Sequence, residues 1–479
     1  MNNDIMAELL YEAPSIARMQ TGQSNKYGSA PSWMRRPRTH IDGDAVAELT
    51  ERFGSPLFVF SETVLRERIG DVRQAFGTRY PRIELAWSYK TNYLDAICAI
   101  THQEGLLAEV VSAMEYDKAR RLGVPGERII FNGPNKPRQV LERAVADGAR
   151  IHIDHFDEID DLEQLAAGLG LCIPVALRLN LDAGIQPQWS RFGFNLESGQ
   201  ALDAARRIHA SKRLRIVGLH CHIGTFILEP SAYRILAEKL VGFGYRLEDE
   251  LGYVMDYLDL GGGLPSKSQL KGTWVPPEVS LPSLDQYAEA MVAGLQASLR
   301  PDHTPRIILE NGRALVDEAG TLITTNLAAK RLPDGRKSYV FDAGINLLYT
   351  SQWYRYKIEV DRDLRGAAEP SLLNGPLCMN IDVLDDACML PPLPRGARLL
   401  LSPVGAYNVT QSMQFIEYRP ASVLISTDGQ VEIIREREDL TDLVGRERLP
   451  AHLGGANTAA VDAPMLSLVE PRQLAATGG

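Results

Sequence analysis

Between residues 84 and 310 the chain repeats one unit eight times: a short apolar or β-branched run, a polar turn, then a longer stretch of helical periodicity. The eight runs are ELAWSYK (84–90), LLAEVV (106–111), IIFN (129–132), RIHID (150–154), PVALRLN (174–180), RIVGLHCH (215–222), YVMDYLDL (253–260) and RIILE (306–310). Stretches such as RQVLERAVADG and SGQALDAARRIHA separate them, with apolar residues recurring at three and four. Eight strands that each lead into a helix must run parallel, and the spacing predicts a (β/α)8 barrel.

A barrel of this kind carries its chemistry at the C-terminal ends of its strands, with phosphate frequently held after strands seven and eight. The seventh run ends in LDLGGGLP, where Gly261, Gly262 and Gly263 leave backbone amides open to an anion. The eighth ends in LENGRALV, which sets Gly312 and Arg313 beside them. Uncommon polar residues collect at the other strand ends: Lys90 on the first, Glu109 on the second, Arg178 on the fifth, His220 and His222 on the sixth, Glu310 on the eighth. Taken singly each has a plainer role, such as a Glu109–Arg178 ion pair, and one histidine of the two is expected to face the mouth. Together they converge on one site. A lysine to condense with an aldehyde, an acid to protonate a ring nitrogen and a cradle for phosphate are what pyridoxal 5'-phosphate requires. Lys90, Glu310, and the glycines with Arg313 fill those roles, with His222 against the ring and Thr225 as a hydroxyl donor to phosphate.

The motifs WSYKTN, GLHCHIGT, GGG and ENGR make the chain resemble the diaminopimelate, ornithine and arginine decarboxylases of the alanine-racemase-type fold, over residues 55 to 440. The resemblance implies that Lys90 carries the cofactor, His222 stacks on its ring, Thr225 replaces a phosphate-binding serine and Glu310 meets the ring nitrogen. It also places Glu109 and Glu115 near the lysine, and Arg178 at the family's strand arginine.

After residue 310 short β-rich segments such as KSYVFDAG and ARLLLSPVG replace the helical pattern and predict a C-terminal β-domain, to which PLFVFSE (56–62) adds a strand. There GPLCMNIDVL and VGAYNVTQSMQF resemble two further family motifs. They imply that Cys378 is the acid that reprotonates the reacting carbon, that Tyr407 contacts phosphate, and that Cys378 and Asp382 reach the cofactor of a second subunit in a homodimer. The expected plan is an N-terminal extension (1–40), residues 41–62 given to the β-domain, a cofactor-binding barrel (63–310), the β-domain (311–445) and a tail (446–479).

The implied reaction is decarboxylation of an amino acid to an amine. Two substrate anchors differ from the family pattern: Met379 stands where an acidic residue usually follows the cysteine, and Thr350 stands in FDAGINLLYTSQW where diaminopimelate decarboxylases have an arginine. Asp342 of that segment remains as a polar contact, with Arg355 and Lys357 nearby. These departures point to a modified, conjugated or carrier-tethered amino acid. A racemase would share the barrel and Lys90 but has no use for GPLCMNID. A silent cofactor-binding regulator would not need Lys90 and Cys378 together.

A net charge of -10 excludes nucleic acid and anionic membranes as expected partners, because both reward clustered Lys and Arg. Five cysteines without a CxxC pair, and no apolar leader or membrane-length run, predict a cytoplasmic protein without structural zinc or disulfides.

Overall fold

The computed structural model describes residues 37–453 except Trp274. Of the extension expected over 1–40 only residues 37–40 are described, and of the tail expected over 446–479 only residues 446–453. A short helix, Val46–Phe53, leads into β1 (Leu57–Ser61) and then helix Glu62–Gly77. The Ser61 side chain caps that helix by accepting from the amide of Val64.

The barrel comprises β2 (Ile83–Ser88), β3 (Leu107–Val110), β4 (Ile129–Phe131), β5 (Arg150–Ile153), β6 (Ile173–Asn180), β7 (Leu214–Cys221), β8 (Tyr257–Asp259) and β9 (Arg306–Asn311). All pairings around it are parallel, and β7 closes the ring by pairing with both β6 and β8, β9 pairing with β2. The eight runs read from the sequence are these eight strands. Helices Ser231–Leu251 and Leu284–Ser298 pack closely outside it. A Cβ at Gly294 would lie 2.5 Å from the carbonyl of Arg234, so only glycine permits that approach.

Inside the barrel the side chains form layers, because residues two apart on a strand share a face. Ala86, Leu107, Ile130, Ala176, Tyr257 and Ile308 pack together as an apolar plug. Two residues further along the same strands stand Ser88, Glu109, Asn132, Arg178, Asp259 and Glu310, all buried. The barrel thus changes from apolar to polar in one step towards the C-terminal ends of its strands. On β7 the register shifts by one residue at Val217, where Gly218 lies against the Tyr257 ring. This bulge resets the alternation, and Leu219 and Cys221 face the outer core while His220 and His222 face inward.

The β-domain adds β10 (Gly320–Arg331), β11 (Lys337–Phe341), β12 (Lys357–Val360), β13 (Glu369–Asn374), β14 (Val383–Leu390), β15 (Arg398–Ser402), β16 (Ser422–Ile425) and β17 (Val431–Arg435). Its strand order is β14-β13-β11-β10-β1-β16-β17, with β15 joining β10 to β12. β1 lies in the middle of this sheet, antiparallel to β10 and parallel to β16. From Glu438 the chain forms a separate unit that includes a short helix, Leu440–Val444, capped by the Asp439 carboxylate.

Candidate active site

A cavity of about 580 Å³ opens at the C-terminal ends of the barrel strands. Lys90 reaches it from a single 3-10 turn, Tyr89–Thr91, directly after β2. Its ammonium donates to Glu109, which also accepts from the Asn132 amide at 3.0 Å. The same Asn132 amide donates to Glu310, and His220 Nε2 lies 3.3 Å from the other oxygen of Glu310. Burial opposes charge on Lys90, but Glu109 and Glu310 outweigh it and hold the ammonium above the ordinary lysine range. The plainer alternative of a Glu109–Arg178 pair is not what forms; Arg178 faces Asp154 at 3.5 Å and lies over the ring of Phe192.

Both histidines of β7 line the cavity, contrary to the expectation of one, because positions two apart share a face. Gly262 donates its amide to His222 Nδ1 at 3.0 Å, so the ring proton of neutral His222 sits on Nε2. Burial and the adjacent Lys90 push its pKa down to about 3, keeping it neutral. Trp189 meets the His222 ring edge-on, centroids 5.2 Å apart.

The glycine triplet differs from an open amide cradle. Gly261 gives its amide to Asp259 and Gly262 gives its own to His222, so Gly263 is the member lining the cavity. What the triplet requires is room: a Cβ at Gly262 would stand 2.1 Å from the carbonyl of Glu310, and one at Gly263 2.5 Å from that of Gly224. At Gly312 a Cβ would collide with Thr91, so glycine lets the end of β9 close on the Lys90 turn. Arg313 is buried, 3.1 Å from Asp317, and lies between the rings of Tyr354 and Tyr407. The amide of Tyr407 donates to Thr91 at 2.8 Å, which ties a β-domain loop to the lysine turn. Gly263, Thr225, Arg313 and Tyr407 share the cavity wall.

An amine, a carboxylate, a neutral imidazole and a glycine–hydroxyl–guanidinium patch in one cavity match the aldehyde, ring nitrogen, ring face and phosphate of pyridoxal phosphate. Among the described residues Asn132 Oδ1 and both ring nitrogens of His220 are buried without a hydrogen-bond partner, which marks a polar layer beneath the cavity. The sequence profile of the family described as "Pyridoxal-dependent decarboxylase, pyridoxal binding domain" matches residues 64–317.

The chain belongs to the pyridoxal-dependent decarboxylases.

It is 32% identical to the diaminopimelate decarboxylase of Aquifex aeolicus, covering 84% of this chain and 94% of that one. With the enzyme of the same name from Actinosynnema pretiosum it shares 31% identity, over 86% and 93% of the two chains. Among solved structures, the diaminopimelate decarboxylase of M. jannaschii aligns with a TM-score of 0.79 at 29% identity, covering 86% of this chain and 96% of that one. The fold is that of the alanine-racemase-like decarboxylases, the cofactor is pyridoxal 5'-phosphate, and the enzyme is a carboxy-lyase of diaminopimelate decarboxylase type. No helix among the described residues is long and apolar enough to cross a membrane.

Several residues expected at the substrate lie elsewhere in this decarboxylase. Asp342 accepts from the Thr324 hydroxyl at 2.6 Å and the Thr325 amide at 2.8 Å, so its carboxylate joins strands of the β-domain. Asp382 is buried and accepts from the amides of Ile345 and Leu377, both at 2.8 Å; it shapes the loop that bears Cys378 and holds no substrate contact in its own chain. Cys378 is exposed, and neither it nor Met379 lines this chain's cavity. Lys357 pairs with Glu359 at 2.7 Å, and neither it nor Arg355 lines the cavity. Thr350 does line it, yet its hydroxyl is engaged with Tyr356 and Asn408 at 2.8 and 3.0 Å.

Asn132, Asp259 and Trp189 were missed by sequence reasoning. Asn132 and Asp259 stand at strand ends, two residues past plug positions, a signal available once the inward alternation is known. Trp189 lies in a loop whose path no periodicity reveals.

Proposed function

We propose that this decarboxylase acts on an amino acid whose side chain ends in a bulky modified, conjugated or carrier-tethered group. The observation that carries the proposal is the cavity wall: Trp189, Phe192, Phe226, Trp353 and Tyr354 line it, and the cationic residues among its described lining are Lys90, Arg178 and Arg313. Arg178 and Arg313 already face Asp154 and Asp317, and Thr350 occupies the place of the family's arginine. A bare distal carboxylate therefore finds no uncommitted guanidinium on that wall, whereas an extended tail finds aromatic surface.

Bound pyridoxal phosphate supplies the electron sink for the pair left when a carbon–carboxylate bond breaks. The residues assigned to it are Lys90 for attachment, Glu310 for the ring nitrogen, His222 for the ring face, and Gly263, Thr225, Gly312, Arg313 and Tyr407 for the phosphate end. Glu109 accepts the proton from Lys90 Nζ and returns it as the amine is displaced and restored. Arg178 fixes the wall beside His220 and His222. Cys378 of a second copy in a homodimer delivers a proton from Sγ to the carbon that has lost its carboxylate, since in its own chain it does not line the cavity.

The test is CO2 release from free diaminopimelate, lysine and ornithine beside their amide- and ester-extended derivatives, with cofactor added. Turnover at least tenfold better on extended derivatives supports the proposal. Efficient turnover of a free diamino acid and none of the extended ones refutes it.

A further inference from the structure

At the floor of the cavity His220 and Glu310 meet His152 and Asp259 of the barrel interior, each of the four no more than 5% exposed. One nitrogen or oxygen from each lies within 4.8 Å of all the others. A barrel interior is ordinarily filled with branched apolar residues, so four ionisable groups at its centre need a reason. Their contacts are unequal. His152 Nε2 meets the hydroxyl of Tyr257 at 3.0 Å, and its ring lies 4.9 Å from that of His220. His220 Nε2 faces Glu310 at 3.3 Å. Asp259 accepts the Gly261 amide at 2.9 Å through one oxygen, while its other oxygen is buried without a partner.

Two carboxyl groups in one dry site do not both ionise, because like charges at low dielectric repel strongly. Burial and Glu310 both push the Asp259 carboxyl well above the usual carboxylate range. Burial drives both histidines well below theirs, so neither adds a positive charge. The remaining charges facing this core are Glu109 on β3, Lys90 after β2, Arg178 on β6, Arg150 on β5 and Lys136. Lys90 and Asn132 lie on the Glu310 side, which makes Glu310 the better place for the negative charge.

We propose that Asp259 is a positioning residue for Glu310: the two carboxyl groups share one proton, and Asp259, anchored by the Gly261 amide, holds it so that Glu310 remains ionised toward the cofactor ring nitrogen. This rests on the assignment of Glu310 above. It gives the glycine turn a second task, since the residue that fixes the proton hangs on the amide that opens the GGG segment.

The experiment compares Asp259→Asn, Asp259→Leu and Glu310→Gln holoenzymes by the pH dependence of the bound cofactor's visible absorption and by steady-state kinetics. Infrared difference spectra of the wild type and Asp259→Asn are added. Asparagine mimics a neutral Asp259 and keeps an acceptor for Gly261, so its absorption midpoint should match the wild type. Leucine should move the midpoint by about one pH unit and lower kcat about tenfold or more with KM little changed. Above about pH 8.5, where Glu115 is ionised, the carbonyl stretch of a protonated carboxyl should be present in the wild type and absent from Asp259→Asn. That band decides the matter even where the leucine variant fails to fold. The proposal is overturned by any of three results: the band persists in Asp259→Asn, the asparagine variant is impaired as severely as the leucine one, or stoichiometric zinc accompanies the wild type and leaves with Asp259. If Glu310→Gln alone leaves spectrum and rate unchanged, the assignment of Glu310 fails instead.

Discussion

The barrel mouth and the loop between β13 and β14 both carry chemistry-bearing side chains, and they are built in opposite ways. At the mouth Lys90, Glu109, Asn132 and Glu310 form one hydrogen-bonded group inside a single chain. In the loop the reactive side chain, Cys378, is exposed beside Ile381, which is 63% exposed, while the buried Asp382 is spent on backbone amides. The difference teaches that barrel closure gathers its polar groups within one chain, whereas the loop leaves its thiol exposed, as the homodimer proposed above requires.

Lys90→Ala should produce the largest effect: CO2 release falls by at least about 10⁴-fold, and the visible absorption of the bound cofactor is lost. Unchanged absorption would remove Lys90 from the mouth's chemistry. Next, Cys378→Ala should retain the absorption and lower kcat about 100-fold. Mixing it with Lys90→Ala should restore about a quarter of wild-type activity, because half of the randomly mixed dimers contain one intact site. Failure to complement would break the contrast between a complete mouth and a presented loop, since the thiol would then serve its own chain or none.

Asp382→Ala should lower stability by about 2–3 kcal/mol, measured by urea unfolding, as two buried amides lose their acceptor. It should also lower kcat while leaving cofactor absorption intact, whereas a fall in cofactor affinity would tie the loop to the mouth. The smallest expected effect concerns Glu115, whose carboxylate accepts the Val111 amide at 2.7 Å and whose pKa burial raises to about 7. The folded state binds this proton more tightly than the unfolded state does. The associated stability is therefore present below about pH 4.5 and is lost as pH rises through about 7. Glu115→Gln should flatten that segment of the stability curve between about pH 4.5 and 8. An unchanged curve would mean that Glu115 shares the mouth's ionised group.

Much of the mouth was legible because its determinants are local. Each barrel strand is a short apolar run; Lys90, His222 and Glu310 end their runs, and Glu109 and Arg178 lie near the ends of theirs. The fate of the GGG segment was not legible: amides that look open in a sequence are taken by Asp259 and His222 only after two strands lie side by side. The paired histidines were misjudged in number, and their inward aim depends on a bulge at Val217 that leaves no mark in the apolar pattern. Asp342 and Asp382 read as substrate-site residues through their family-like motifs; in the fold Asp342 bonds Thr324 and Thr325, and Asp382 accepts the amides of Ile345 and Leu377.

The sequence by itself determined the eightfold strand–helix alternation, the β-rich second half and the place of Lys90 at the end of the first barrel run. Those follow from periodicity and from motifs contiguous in the chain, where hydrophobic burial acts on near neighbours. Only the tertiary structure decided the rest. It brought Asp259 and Glu310 into one buried cluster, set aromatic side chains and Lys90 around one cavity, and left Cys378 exposed outside that cavity's lining. Each of these depends on residues tens to hundreds of positions apart, brought within a few ångströms by barrel closure, and electrostatic and packing energies at that range follow distance in space and not in sequence.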